Sequence, residues 1–133
     1  MYLSMLDTKK KHLFLDLELY MAKIDGDFSI HEKEIIDAHC LEMRIDNNGY
    51  VPEIPLDNVI TELKNTLTIQ EKHIVFLELV ATILADNVYH ENEEALIEKL
   101  ETVFEISDNE KETAFSIMSD MKKAYERCAA FIK

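Results

Sequence analysis

One stretch occurs twice, and no other feature constrains the fold as strongly. Asp25-Gly26-Asp27-Phe28-Ser29-Ile30-His31-Glu32 reappears 61 positions later as Asp86-Asn87-Val88-Tyr89-His90-Glu91-Asn92-Glu93. Each copy has an acid first, a turn former second, an aromatic fourth and a Glu eighth. The same offset takes Ile35 to Leu96, Ile36 to Ile97, Met43 to Phe104 and Ile45 to Ile106. The chain therefore reads as two related helix-turn-helix halves, about 13–46 and 69–107, expected to pack around a local pseudo-twofold axis.

The segments around the turns have helical periodicity. From Leu13 to Ile24 apolar residues cover nearly the whole wheel except a stripe of His12, Asp16 and Lys23, the pattern of a helix surrounded by protein. Glu18 breaks it, lying among Phe14, Met21 and Ala22. Gly26 supplies positive φ, and Ser29 with Glu32 forms a capping box that opens the next helix. Its inward stripe is Ile35, Ile36, His39, Cys40 and Met43, ending near Arg44. Asp46-Asn47-Asn48-Gly49, with Pro52 and Pro55, cannot continue a helix and forms the main internal connection.

A shorter amphipathic segment follows from Leu56 to Leu67. Thr68 and Glu71 cap a helix from Ile69 to about Ala85 whose polar strip is Glu71, Glu78 and Thr82. After the second acidic turn comes the stripe Leu96, Ile97, Leu100, Val103 and Phe104. Ser107 and Glu110 cap a last helix with Ala114, Phe115, Met118, Met121, Ala124, Tyr125, Cys128 and Ile132 expected on its buried side. No stretch shows the period-two alternation of a strand. The expectation is one all-α domain over residues 1–133, a compact bundle of about six to seven helices.

Composition narrows the function. Against 27 acids stand 14 bases, a net charge of -13, which repels nucleic-acid backbones and anionic membranes. Nucleic acid is not an expected partner. The most apolar segment, Ile74 to Ala85, is short and interrupted by Glu78 and Thr82, so no membrane insertion is expected. Cys40 and Cys128 lie in helical patterns without C-x-x-C spacing and read as free buried thiols of a cytoplasmic protein.

The acidic turns are the candidate site. In a symmetric pairing Asp25, Glu32, Asp86 and Glu93 could converge, with Glu18 and Glu78 in reserve, and clustered carboxylates bind a hard cation or raise one another's pKa. Calcium, magnesium or manganese suits such oxygen ligands better than zinc. Capping and turn solvation explain the same residues without metal. An EF-hand is excluded, because Ile30 and Ile36 fall where its Gly and bidentate Glu belong. Histidines 31, 39, 73 and 90 are scattered, and His39 on an inward stripe reads as a hydrogen-bonded core residue. There is no phosphate loop, nucleophile elbow or activated Cys, so no enzyme is expected.

With these residues placed, the chain resembles the TerB-like family of small helical domains named for tellurite resistance. The match lies in Ala22-x-x-Asp25-Gly26-x-Phe28-x-x-x-Glu32, its echo Ala85-Asp86-Asn87-x-Tyr89-x-x-x-Glu93, and Phe104-Glu105-Ile106-Ser107. The resemblance implies a helical bundle found in bacteria and phage and linked to metal or chemical stress, with metal proposed at the turn acids, here Asp25, Glu32, Asp86 and Glu93. The acids at Asp27 and Glu91 are offset from each other, so the halves are not equivalent as ligand sets. Two readings stand: a divalent-cation site in a stress or signalling assembly, or an acidic interaction module that meets a basic protein surface and has purely structural turns. Oligomeric state is left open.

Overall fold

The structure, a computed structural model, describes residues 1–24, 26, 28–85 and 90–133. After a short 3-10 turn at Leu3–Met5 come six α-helices: α1 (Thr8–Lys23), α2 (Ile30–Met43), α3 (Leu56–Thr66), α4 (Ile69–Ile83), α5 (Glu91–Val103) and α6 (Asp108–Ile132). No strand occurs among the described residues. The molecule is the expected all-α bundle.

Local chemistry accounts for the ends of these helices. Ser29 with Glu32, Thr68 with Glu71 and Ser107 with Glu110 form the three expected capping boxes, each satisfying helix N–H groups that would otherwise lack a partner. α1 begins at Thr8, five residues before the apolar pattern, because the Asp7 carboxylate accepts the Lys10 N–H at 2.9 Å and starts the helix among lysines. At the other ends, Arg44 and Glu105 both turn left-handed, at φ 59° and 56°. The Ile45 N–H then reaches back to the Cys40 carbonyl at 2.9 Å, and the Ile106 N–H to that of Glu101 at 2.8 Å. These are six-to-one helix closures. The caps Asp7 and Thr68, like the closures at Arg44 and Glu105, are spaced by the same 61 residues as the acidic turns. The repeat is therefore one of helix starts and stops as well as of motif residues. Gly26 takes the expected positive φ of 74°, whereas Asp25, Asp27 and the turn at 86–89 lie outside the described residues.

Phe14, Leu15, Leu17 and Met21 of α1 and Val75, Phe76, Leu79 and Ile83 of α4 belong to one buried apolar cluster that also draws on the other helices. Full burial of each such side chain contributes roughly 1.5–3 kcal/mol. Outside the two repeat halves, α3 leans on α1 and α6 on α4.

α6 departs from expectation. Ala114 and Met118 are buried and Phe115 and Met121 partly so, but Ala124, Tyr125, Cys128 and Ile132 are exposed. The reason is length. The 25 residues of α6 against the 15 of α4 correspond to about 37 Å against about 22 Å at 1.5 Å per residue, so the stripe continues after its support has ended. Cys128 is accordingly an exposed thiol. Cys40 is buried as expected, and burial pushes its pKa up to about 12.

The connection after α2 is tied down onto α1. Tyr50 Oη donates to Asp16 Oδ1 at 2.7 Å and Tyr20 Oη to the Ile54 carbonyl at 2.8 Å. Asp16, read from sequence as part of a polar stripe, is buried beneath this loop. Burial raises its pKa, and the Tyr50 hydrogen bond opposes that rise. Tyr50→Phe removes the hydroxyl from a buried carboxylate and is expected to cost about 1–3 kcal/mol in urea unfolding. An unchanged midpoint would show that solvent, not Tyr50, satisfies Asp16.

Candidate functional site

Three helices each place one ionisable residue at a single point inside the bundle. Glu18 comes from α1, His39 from α2 and Glu78 from α4, and Glu18 is 0% exposed. His39 Nδ1 pairs with Glu18 Oε2 and its Nε2 with Glu78 Oε2 at 3.1 Å, so the ring is clamped between two carboxylates. Phe14 packs edge-on against the imidazole at a centroid distance of 5.6 Å. The Thr82 hydroxyl donates to Glu18 Oε2 at 2.8 Å. Glu78 Oε1 accepts from the Met1 ammonium at 2.8 Å and from the Tyr2 N–H at 3.3 Å, and Glu42 Oε1 lies 2.8 Å from the same ammonium.

Electrostatics follow from this arrangement. Burial by itself would lower the His39 pKa, but the hydrogen bonds and charges of Glu18 and Glu78 outweigh it and hold the imidazolium to about 9. For Glu78, burial pushes upward and is overcome by His39 and the terminal ammonium, leaving its pKa at about 2. Glu18 goes the other way. Complete burial raises it despite His39 and Thr82, and its Oε1 has no hydrogen-bond partner among the described residues. His39 is thus a cation with both ring nitrogens donating. In that state it has no lone pair for a metal or for a substrate proton, and the clamp acts as a cross-link among α1, α2 and α4.

The acids singled out from sequence divide into three groups. Glu32 and Glu93 are buried at equivalent positions, third in α2 and α5, and each turns Oε1 back to a cap amide, Ser29 N–H at 3.2 Å and His90 N–H at 3.3 Å. Glu18 and Glu78 do come together, but on His39 rather than at a turn. Asp25 and Asp86 lie outside the described residues. Among the described residues no three His, Cys, Asp or Glu side chains are grouped to hold a metal ion. The clamp could have been found in the sequence as three buried-polar anomalies: Glu18 inside an apolar wheel, His39 on an inward stripe, and Glu78 with Thr82 on an otherwise apolar helix. One base between two acids offsets one of the two charges, and the Met1 ammonium on Glu78 supplies the second cation.

Over the clamp lies a groove that periodicity did not reveal. It encloses about 510 Å³ between α2, α4 and α6. Its lining is mainly apolar, with Ile35, Ala38, Ala81, Leu84, Met121 and Tyr125, and His39, Glu42 and Glu78 also contribute. Such a surface can take an apolar ridge, while Glu42 and Glu78 are already paired with the Met1 ammonium and His39, and Lys122 shares the lining.

No protein-family model matches the chain, and neither does any curated protein or solved structure. The TerB-like resemblance thus rests on its motif residues alone.

Proposed function

We propose that this protein is a non-catalytic interaction module whose α2–α4–α6 groove receives an amphipathic helix carrying basic residues. The observation that supports this reading is the groove itself, about 510 Å³ and apolar in its walls; the preference for a basic helix comes from the overall charge of -13, since Glu42 and Glu78 in the lining are already paired with the Met1 ammonium and His39. Helix-in-groove binding uses an apolar ridge for affinity, and complementary charge sets orientation and encounter rate. The buried groups argue against catalysis. His39 has both nitrogens committed, and the Cys40 thiol, with a pKa of about 12, stays protonated at neutral pH. On this reading the acidic turns are helix caps, and the free thiols Cys40 and Cys128 suit a reducing compartment.

A fluorescent peptide of Leu/Lys heptads, titrated by anisotropy, tests the proposal. Saturable binding is expected, weaker at high salt, absent for the same peptide with Glu in place of Lys, and lost in Ala38→Arg, where the new side chain enters the groove and repels the lysines. Equal binding of both peptides, or binding untouched by Ala38→Arg, would overturn it. A divalent-cation module would instead show an ion-selective rise in the Tm of chelator-treated protein, lost in the Asp25→Asn, Asp86→Asn double variant. No such selective rise is expected.

A further inference from the structure

The last part of α6 has no protein beneath it. Every residue from Lys123 to Lys133 is exposed, with Tyr125 at 69%, Phe131 at 89% and Ile132 at 81%. The helix thus runs about 15 Å past Lys122, its last half-buried residue. Its faces are cleanly divided. At about 100° per residue, Met121, Ala124, Tyr125, Cys128, Phe131 and Ile132 fall within an arc of about 120° that contains no charged side chain. Arg127 and Lys123 follow one edge of the arc, Lys122 and Lys133 follow the other, and Glu126 lies nearly opposite its centre.

Charge sets this segment apart from the rest of the molecule. Residues 121–133 hold Lys122, Lys123, Arg127 and Lys133 against the single acid Glu126, whereas the remaining residues hold 10 bases against 26 acids. The helix dipole favours bases in the last turn only, so it does not account for Lys123 or Arg127. An apolar arc with bases along both edges is a poor match for a copy of itself, because the bases would face one another. Nucleic acid would take the bases and leave the arc in water. An anionic bilayer uses both features, since the arc enters the headgroup boundary while the long basic side chains reach lipid phosphates from its edges. The overall charge of -13 does not oppose this contact. Charges further apart than about 8 Å are largely screened at physiological salt, and Phe131, Ile132 and Lys133 stand about 13–15 Å past Lys122.

We infer that residues 123–133 of α6 dock in the surface of an anionic lipid bilayer and hold the bundle against it. The contact is interfacial: the helix lies in the plane of the headgroups with Tyr125, Phe131 and Ile132 beneath it. No helix among the described residues is long and apolar enough to cross a membrane. The inference does not rest on the groove reading.

Lipid vesicles and the full chain test it. The chain has no Trp, so Phe131→Trp and, as a control, Leu41→Trp at an exposed position of α2 each supply one fluorophore. With vesicles of phosphatidylglycerol and phosphatidylcholine, Phe131→Trp emission is expected to shift to the blue and become shielded from aqueous acrylamide, less so as salt rises. Leu41→Trp emission should stay unchanged. Vesicles of phosphatidylcholine alone should bind at least about tenfold more weakly. In co-sedimentation with the anionic vesicles, Ile132→Glu and Arg127→Glu, both at exposed positions, should each lower binding at least about tenfold with unchanged circular dichroism. No blue shift at low salt, equal binding to both lipid compositions, or binding insensitive to Ile132→Glu would overturn the inference. A shift of Phe131→Trp emission by the Glu form of the heptad peptide but not by the vesicles would overturn it in favour of an acidic protein partner.

Discussion

His39→Leu is expected to destabilise the fold by about 3–5 kcal/mol, the usual cost of removing one partner from a buried charge pair. The loss does not come from packing. Leu100 occupies the equivalent position, 61 residues on, and is buried, so a leucine is compatible with this place in the helical repeat. What remains is Glu18 and Glu78 facing each other without the cation between them, one fully buried and the other nearly so. Urea denaturation gives the magnitude. The triple variant Glu18→Leu, His39→Leu, Glu78→Gln removes the stranded charges and should regain most of the loss, since buried ion pairs replaced as a unit are often neutral. If His39→Leu fell within about 1 kcal/mol of wild type, the imidazole would not be a charged clamp.

Stability is expected to fall from pH 6.5 toward pH 9. His39 binds its proton more tightly when folded, at about 9 against an ordinary 6.5. Its contribution is therefore complete below pH 6.5 and is lost as pH rises through 9, amounting to about 3 kcal/mol at 1.36 kcal/mol per unit. The Met1 ammonium, also raised, adds to the same alkaline limb, so the difference between wild type and His39→Leu isolates the histidine. On the acid side two groups oppose each other. Glu78, lowered to about 2 from 4.5, stabilises above pH 4.5, and that contribution disappears as pH falls through 2. Glu18, raised by burial, favours the folded state at low pH, and its contribution declines as pH rises from 4.5. The alkaline limb is thus the cleaner observable. Parallel wild-type and His39→Leu profiles between pH 6.5 and 9 would contradict the assignment.

Helices and caps were legible in the sequence because both are local. Ser29, Thr68 and Ser107, each with a Glu three residues on, state where a helix starts, and the 3.6-residue stripes state which face is buried. The repeat was legible too, and its extension to Asp7 and Thr68 and to Arg44 and Glu105 follows the same spacing. Periodicity carries no information on where a neighbouring helix stops. That is why the apolar stripe of α6 was extended through Tyr125, Cys128 and Ile132, and why the start of α1 among lysines was missed. The clamp was visible only as separate anomalies. Sequence spacing offers Glu18 and Glu78 only as reserve ligands to the turn acids, because one-dimensional spacing cannot tell that α1 and α4 present them to the same histidine of α2. A groove between α2, α4 and α6 is wholly tertiary, and no residue pattern along one helix encodes it.

The most direct test of the central claim is an amide chemical-shift map of the ¹⁵N-labelled protein titrated with the Leu/Lys peptide. The account predicts perturbations gathered at 35–42, 81–85 and 118–125, the three segments that enclose the groove. Perturbations confined to α3 and α5, or a spectrum unchanged at saturating peptide, would contradict it.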